Sequence, residues 1–110
     1  DSGNFLIDNL TNKPITIVDY NCLKNVLNNI SITDILLNRT DKLSSEFKSV
    51  HLQNVSSINK GSKIIVFEVE KLVIYLENKK NIIDKAMIGL TIKSFINDLG
   101  YNALLNPNLF

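Results

Sequence analysis

The sequence predicts a single α+β domain in which helices pack on a mainly antiparallel sheet of about five strands. The 110 residues suit one domain, and a hydrophobic fraction of 45% with 21% charged residues suits a globular core. Several short β-branched runs alternate apolar and polar residues, as strands do, while two longer stretches have the three- and four-residue apolar spacing of helices. The predicted order over residues 1–110 is β-β-α-β-β-β-α.

The first third of the chain predicts a hairpin followed by a helix. Residues 4–10 and 14–19 read as strands, and the turn-forming residues 11–13 separate them. Asp19 can cap the next helix, because its carboxylate can accept hydrogen bonds from the free amides of a first turn. The apolar residues of that helix share one face, and they are Tyr20, Leu23, Val26, Leu27 and Ile30.

A second capping signal spans residues 31–34 (SITD), so we expect the helix to break or bend there. Helical character is expected to fade over residues 40–45. Residues 47–55 predict a third strand, with Val50 and Leu52 on one side and His51 and Gln53 on the other.

The second half contains the strongest strand signal. Residues 64–69 and 72–76 would make an unusually long single strand, so we place a tight turn at residues 70–71. Residues 81–99 predict a final helix that stops at Gly100. On a helical wheel this segment carries two apolar stripes, and the second one needs a cover from residues 101–110 or from another chain.

Charge and cysteine content exclude several classes of function. The net charge is +1 and the two signs are interspersed, so neither nucleic acid nor an anionic membrane is an expected partner. A single cysteine, Cys22, excludes an internal disulfide and suits a reducing compartment. No apolar run approaches the roughly 18 residues of a membrane span. We therefore expect a cytoplasmic location.

Three kinds of catalytic or metal site were weighed. One histidine and one cysteine do not make a metal site. Cys22 and His51 could form a nucleophile pair, but no third group marks it, and a buried thiol with a surface imidazole is the simpler interpretation. Acid–base pairs of Asp8 with Asp19, or of Glu68 with Glu70, are less favoured than solvated charges.

Nucleotide and RNA sites have equally little support. A phosphate cradle needs clustered glycines, and Gly3, Gly61, Gly89 and Gly100 are scattered. Phe67 shares a strand face with apolar neighbours, which favours a place in the core, and Tyr75 is the better candidate for an exposed face. The sequence thus predicts no catalytic, cofactor-binding or metal-binding residue, no cofactor, and a protein that is not an enzyme.

Two segments carry a family resemblance. The stretch SKIIVFEVEKLVIYLENKKNIIDKAMIGLTIKSFINDLG (residues 62–100) and the early FLIDNLTNKPITIVD (residues 5–19) resemble the roadblock/LC7 group of the profilin-like and longin-like folds. The chain departs from that group in lacking a helix before the first strand. The resemblance implies a dimerising, non-catalytic module that scaffolds small GTPases, motors or trafficking assemblies.

The predicted function is accordingly a non-catalytic scaffold or adaptor subunit that forms a homodimer or heterodimer within a larger assembly. A PAS/GAF-like sensor of small ligands and a peptide- or nucleic-acid-binding module are the alternatives. The expected partner is a protein or a second copy of the chain, and a small-molecule ligand is not expected. The interface candidates are apolar residues of the third strand, the central helix and the final helix: Val50, Leu52, Met87, Leu90, Ile83, Leu23 and Leu27.

Overall fold

The computed structural model describes residues 6–23, 27, 30–54, 63–91 and 103–109. Its five-stranded sheet has the order β2-β3-β4-β1-β5. Three short helices connect the first two strands, and a turn of 3-10 helix, Pro107–Leu109, follows the last one. The elements are β1 Ile15–Asp19, α1 Tyr20–Leu23, α2 Ile32–Leu36, α3 Thr40–Ser44, β2 Lys48–Asn54, β3 Lys63–Leu76, β4 Lys79–Thr91 and β5 Ala103–Leu104.

The α+β class is confirmed, whereas the predicted order of strands and helices is wrong. The predicted first strand is reduced to one antiparallel bridge between Ile7 and Pro14. The sheet is also mixed, because β1 runs parallel to β4, while the β1–β5, β2–β3 and β3–β4 pairs are antiparallel. Among the described helices, none has the length and apolar character needed to cross a membrane.

A long hairpin of β3 and β4 dominates the sheet. The two strands pair without interruption of register from Ile65 opposite Leu90 to Leu76 opposite Lys79. The turn between them is Glu77-Asn78, and both residues have positive φ, 48° and 66°. Such a two-residue turn matches the twist of antiparallel strands, and asparagine tolerates this conformation well. The turn predicted at residues 70–71 is therefore wrong, because β3 continues through it.

The predicted final helix is also wrong over residues 81–91, which form β4; its remainder, residues 92–99, lies outside the described residues. β4 lies between β3 and β1, so residues 86–90 are buried on both faces of the sheet. A strand covered on both sides is a continuous apolar run. Placed on a helical wheel, that run contributed Ala86, Met87 and Leu90 to one predicted apolar stripe and Ile88 to the other.

Gly89 lies at the centre of this strand. A Cβ atom there would be 2.7 Å from Cδ1 of Ile64 and 2.9 Å from Cγ2 of Ile15, closer than side-chain atoms normally approach. Glycine within a strand often marks such a close approach. The side chains of β3 and β1 can thus pack over β4 only because residue 89 is a glycine and has no side chain.

The core is divided between the two faces of the sheet. On the helical face, Ile65, Phe67 and Leu90 pack with Ile35 and Leu43 of the helices. The rings of Phe47 and Phe67 lie 4.7 Å apart between centroids. The opposite face is a smaller cluster of Ile15, Ile17, Ile64, Val66 and Met87. The core position of Phe67 is confirmed, and so is the exposure of Tyr75, which is 72% exposed.

The helical region departs from its prediction in length. The structure assigns helix only to Tyr20–Leu23, and the described residues Leu27 and Ile30 are not helical. Both are nevertheless buried, and the hydroxyl of Tyr20 donates a hydrogen bond of 2.7 Å to the carbonyl of Ile30. The cap predicted at residues 31–34 is confirmed, while α3 occupies residues 40–44, where helix was expected to fade.

Candidate functional site

Asp8 is a fully buried carboxylate in the turn that precedes β1. Its backbone amide donates to the carbonyl of Lys13 at 2.8 Å, and its own carbonyl accepts from the amide of Asn12 at 2.9 Å. Its Oδ2 accepts from the amide of Thr11 at 2.9 Å and from the Thr11 hydroxyl at 2.5 Å. An aspartate that accepts from its own turn in this way fixes the turn locally.

His51 approaches Asp8 from β2. The register of β2 against β3 shifts between Lys48 and His51, and Ser49 there has a φ of 58°. This β-bulge re-aims the side chains that follow it. The His51 Nε2 lies 2.6 Å from Oδ1 of Asp8, and its Nδ1 lies 2.6 Å from the carbonyl oxygen of Ser49. Each ring nitrogen of His51 thus faces an oxygen, one of a side-chain carboxylate and one of a backbone carbonyl.

This environment fixes the ionisation of Asp8. Burial alone would raise the pKa of Asp8, but the hydrogen bonds from Thr11 and the charge and hydrogen bond of His51 outweigh burial and lower the pKa. Asp8 is therefore an ionised acceptor at neutral pH. Both ring nitrogens of His51 are engaged by oxygens of the protein, so the pair is suited to holding structure in place.

Gln53 lies two residues after His51 and completes the contact with this turn. It is 5% exposed. Its side-chain NH₂ donates to the carbonyl of Ile7 at 2.8 Å, and its side-chain oxygen accepts from the amide of Asn9 at 3.0 Å. His51 and Gln53 thus hold residues 7, 8 and 9 in succession. We call these two side chains the β2 clamp.

The other side of the same segment is tied to β1 and to the C-terminal segment. The carbonyl of Leu6 accepts from the amide of Ile15 at 3.0 Å and from the side-chain NH₂ of the buried Asn106 at 2.7 Å. Lys13 closes the turn on the sheet, since its Nζ donates to the carbonyl of Lys85 at 3.0 Å and lies 3.7 Å from Glu68. Residues 6–13 are consequently anchored on several sides.

Asp34 is a second buried carboxylate, at the start of α2. It accepts from the backbone amide of Ser31 at 2.9 Å, and Lys42 and Arg39 lie 3.1 Å and 3.4 Å from its two oxygens. The hydrogen bond from the Ser31 amide, followed by the one from Lys42, lowers the pKa of Asp34 to about 2. Ser31 caps the helix in return, at 3.2 Å from the Asp34 amide.

Asp19 does not pair with Asp8. The two carboxylates lie at opposite ends of β1, whose five residues span about 13 Å. Asp19 is buried and its Oδ1 caps α1 by accepting from the amide of Asn21 at 2.9 Å, as predicted. Its Oδ2 and the hydroxyl of the buried Thr16 have no hydrogen-bond partner among the residues that the structure describes. The acid–base pair of Asp8 with Asp19, which the sequence did not favour, is therefore not formed, although both carboxylates are buried and not solvated as expected.

The remaining candidate pairs are not formed either. Glu68 contacts Lys13 and Glu70 is exposed, as expected for charges on a solvated face. Both ring nitrogens of His51 contact Asp8 and Ser49, and with a side chain only 16% exposed His51 is not the predicted surface imidazole; the side chain of Cys22 lies outside the described part of the structure. Within the described ranges, no three histidine, cysteine or acidic side chains are grouped to hold a metal ion.

The predicted interface residues are mostly internal. Leu27, Met87 and Leu90 are fully buried by their own chain, because β4 is a central strand and not an exposed helix. The half-buried members are Val50, Ile83 and Leu23. Leu52 alone among the seven is exposed, at 38%. A contact of these residues with a second chain stays a prediction.

The sequence analysis missed the clamp for a physical reason. It weighed Asp8, His51 and Gln53 separately, and 43 to 46 residues separate Asp8 and Ile7 from their partners on β2. One local signal was present. Gln53 falls on the buried side of a short strand whose exposed side carries Leu52, the reverse of the usual amphipathic pattern.

A comparison with protein families identifies the chain. The family model described as Peptidase U4, sporulation factor SpoIIGA, matches residues 1–109. This match overturns the roadblock/LC7 resemblance, which depended on an apolar hairpin and a final helix that is largely a strand. It also overturns the predicted scaffold function and the prediction of no enzyme, because the family is one of peptidases. No curated protein and no solved structure matches the chain significantly. The chain belongs to the SpoIIGA sporulation-factor family of peptidases.

Proposed function

We propose that this chain is a peptidase domain in which the carboxylate of Asp1 activates the water that attacks the peptide bond. The observation that carries the proposal is the tripeptide Asp1-Ser2-Gly3 at the start of a chain matched by a peptidase family. These three residues lie outside the described part of the structure, so the argument for them is one of sequence and chemistry.

Peptide hydrolysis needs a side-chain nucleophile with a base, a metal-bound water, or a water activated by carboxylates. The described residues offer no grouped metal ligands. The chain's one histidine has both ring nitrogens engaged, so it cannot activate a serine or cysteine. Carboxylates are the means that the Asp1-Ser2-Gly3 tripeptide offers.

An aspartate followed by serine or threonine and then glycine is the tripeptide on which aspartic peptidases carry the reactive carboxylate. A small hydroxyl residue can hydrogen-bond within such a turn, and glycine allows another backbone to approach closely. The sequence analysis counted Gly3 only as one of several scattered glycines, and so it passed over this tripeptide.

Aspartic peptidases work with two carboxylates that share one proton. The ionised carboxylate removes a proton from a water molecule while the oxygen of that water bonds to the carbon of the peptide group. The protonated carboxyl group donates its proton to the carbonyl oxygen. Return of a proton to the nitrogen then releases the amine as the C–N bond breaks. Asp-Ser-Gly occurs once in this chain. We therefore include a homodimer in the proposal, in which each copy supplies one Asp1.

The fold supports this proposal through the segment that follows the tripeptide. Residues 6–9 each make at least one hydrogen bond to β1, β2 or the C-terminal segment. An anchored segment a few residues along the chain from the reactive carboxylate is consistent with the precise positioning that catalysis requires.

The test is a cleavage assay with purified protein that contains all 110 residues. A mixture of random decapeptides is incubated with the protein, and cleavage is read by mass spectrometry. We expect Asp1→Asn to lower the cleavage rate by about 10³-fold or more, because the amide cannot exchange the proton. Asp41→Asn, the same change at an exposed aspartate of α3, serves as the control and should leave the rate unchanged.

Two results would contradict the proposal. One is an Asp1→Asn variant that cleaves as fast as the unchanged protein. The other is cleavage that persists in that variant and stops when a metal chelator is added, since this would assign the chemistry to a bound metal.

A further inference from the structure

We propose that the outer part of the β3–β4 hairpin carries a surface to which a second copy of this chain binds. In the described sheet, the pairing of β3 with β2 ends at Glu68, and the pairing of β4 with β1 begins at Met87. Residues 70–85 extend beyond these limits as a pair of strands, which we call the hairpin arm. The proposal concerns this arm alone and does not depend on the proposed reaction of Asp1.

The two faces of the hairpin arm differ in burial. On one face, Ile74 is 9% exposed and Leu72 is half-buried against the core of the helical face. The register places residues 71, 73 and 75 of β3 directly opposite residues 84, 82 and 80 of β4, so these six side chains share the other face. All six are exposed. We call them the outer face: Lys71, Val73, Tyr75, Lys80, Ile82 and Asp84.

The outer face is apolar at its centre. Val73 and Ile82 are directly opposite each other and are 41% and 52% exposed, and Tyr75 follows on β3 at 72%. A strand pair with one face in water normally carries polar residues on that face. Adjacent exposed apolar side chains mark a contact surface, and a two-stranded hairpin is only marginally stable by itself. The outer face therefore has the character of a surface that is covered in an assembly.

The charges of the outer face match those of a second copy. A two-fold axis along the arm places each β3 residue over its β4 counterpart, so Lys71 meets Asp84 of the second copy. A two-fold axis across the arm exchanges its two ends, so Asp84 meets Lys80 of the second copy. In both arrangements the apolar centres meet, and Tyr75 meets a lysine, which an aromatic ring attracts. Neither arrangement opposes two like charges on this face, so the face is complementary to itself.

Other partners fit the outer face less well. A nucleic acid or an anionic membrane would be attracted by Lys71 and Lys80 but repelled by Asp84 and by Glu77 at the tip of the arm. The net charge of +1 gives the chain no long-range field for such a partner. Six side chains per copy are fewer than the roughly 20 of a standard interface, so we expect weak association, with a Kd of about 10–100 µM.

The first test is sedimentation equilibrium of the 110-residue chain at about 1–300 µM, with Ile82→Glu compared with Leu36→Glu. Leu36 of α2 is 60% exposed, so the control makes the same change at an exposed apolar residue outside the arm. We expect Ile82→Glu to raise Kd by about 30-fold or more, because the symmetry places two carboxylates in the apolar centre. Leu36→Glu should leave Kd within about twofold. A monomer at every concentration, or an unchanged Kd in folded Ile82→Glu, would overturn the inference.

Charge reversal covers the case in which Ile82→Glu does not fold, and it also identifies the surface. Asp84→Lys leaves only positive charges on the outer face, and the double variant Lys71→Asp, Lys80→Asp leaves only negative ones. Each variant alone should associate about 10-fold more weakly than the unchanged chain, whereas a mixture of the two should recover to within about threefold. Native mass spectrometry of one ¹⁵N-labelled and one unlabelled variant counts the mixed dimers. A mixture that associates no better than either variant alone would refute the proposed surface.

Discussion

The two buried carboxylates that carry hydrogen-bond networks, Asp8 and Asp34, differ in where their partners come from. Both are almost fully inaccessible, and their partners lower the pKa of each. The partners of Asp34 lie within eight residues of it along the chain, whereas the contact of Asp8 with His51 spans 43 residues. The Asp34 network therefore stabilises one helix start, and the Asp8 network joins two distant parts of the fold.

The largest expected difference between the two networks is in the free energy of unfolding that is lost when each aspartate is replaced by alanine. We expect Asp8→Ala to lower the free energy of unfolding by about 3 kcal/mol, because it leaves the half-buried His51 ring and the Thr11 donors without their hydrogen-bond partner. Asp34→Ala should have a smaller effect, since Arg39 and Lys42 are about half exposed and can be solvated by water. Urea unfolding measures both. An equal or larger loss in Asp34→Ala would contradict the distinction.

A double-mutant cycle sharpens the same comparison. The pair Asp8→Asn and His51→Gln should show a coupling free energy of about 1–2 kcal/mol that changes little with salt, because the contact is shielded from solvent. For Asp34→Asn with Lys42→Gln we expect a weaker coupling that declines in about 1 M NaCl, where exposed charges are screened. If salt weakened both couplings equally, the Asp8–His51 contact would be solvated.

The pH dependence of stability gives a third prediction. The pKa of Asp34 is lowered from 3.8 to about 2 in the folded chain. A carboxyl group whose pKa is lower in the folded state stabilises the fold at any pH above its unfolded-state pKa. This contribution is lost as the pH falls through the folded-state pKa. Stability should therefore fall between about pH 4 and pH 2, and less steeply in Asp34→Asn. Urea unfolding at several pH values in that window is the measurement; an identical slope in the variant would assign the effect to other carboxylates.

The smallest effect is expected at the helix cap. Ser31→Ala removes the hydroxyl that accepts from the Asp34 amide and should lower the free energy of unfolding by about 1 kcal/mol. Ser44→Ala on α3 is the matched control, because that exposed hydroxyl bonds only to the carbonyl of Thr40 and should change stability by less than about 0.5 kcal/mol. Equal effects would show that the cap does not stabilise α2.

The same difference explains which parts of the fold could be predicted. The α2 cap and the capping role of Asp19 depend on residues close in sequence, and both predictions are confirmed. Residues 82–90 fit a helix and a doubly buried strand equally well. What decides between them is the parallel pairing of β4 with β1, such as Met87 opposite Ile15, and the partners of that pairing lie 72 positions apart in the sequence.

The candidate site also combines features that are local in the sequence with features that depend on distant residues. The clamp depends on a bulge in β2 and on contacts across more than forty residues, which no local pattern records. The tripeptide Asp1-Ser2-Gly3, by contrast, is contiguous in the sequence and could have been recognised there. Gly3 was considered only as part of a phosphate-binding loop, and that interpretation gives no role to the neighbouring aspartate. A local motif could therefore have suggested the chemistry, whereas only the fold reveals the contacts of residues 6–9 with β2.

The proposed two-chain active site is tested most directly by calorimetric titration with a statine-containing peptide, an analogue of the tetrahedral intermediate. Such analogues bind far more tightly than substrates to a site complementary to the transition state. Two Asp1 carboxylates shared between two copies predict one bound analogue per two chains, and no binding by Asp1→Asn. One analogue bound per chain, or undiminished binding by Asp1→Asn, would contradict it.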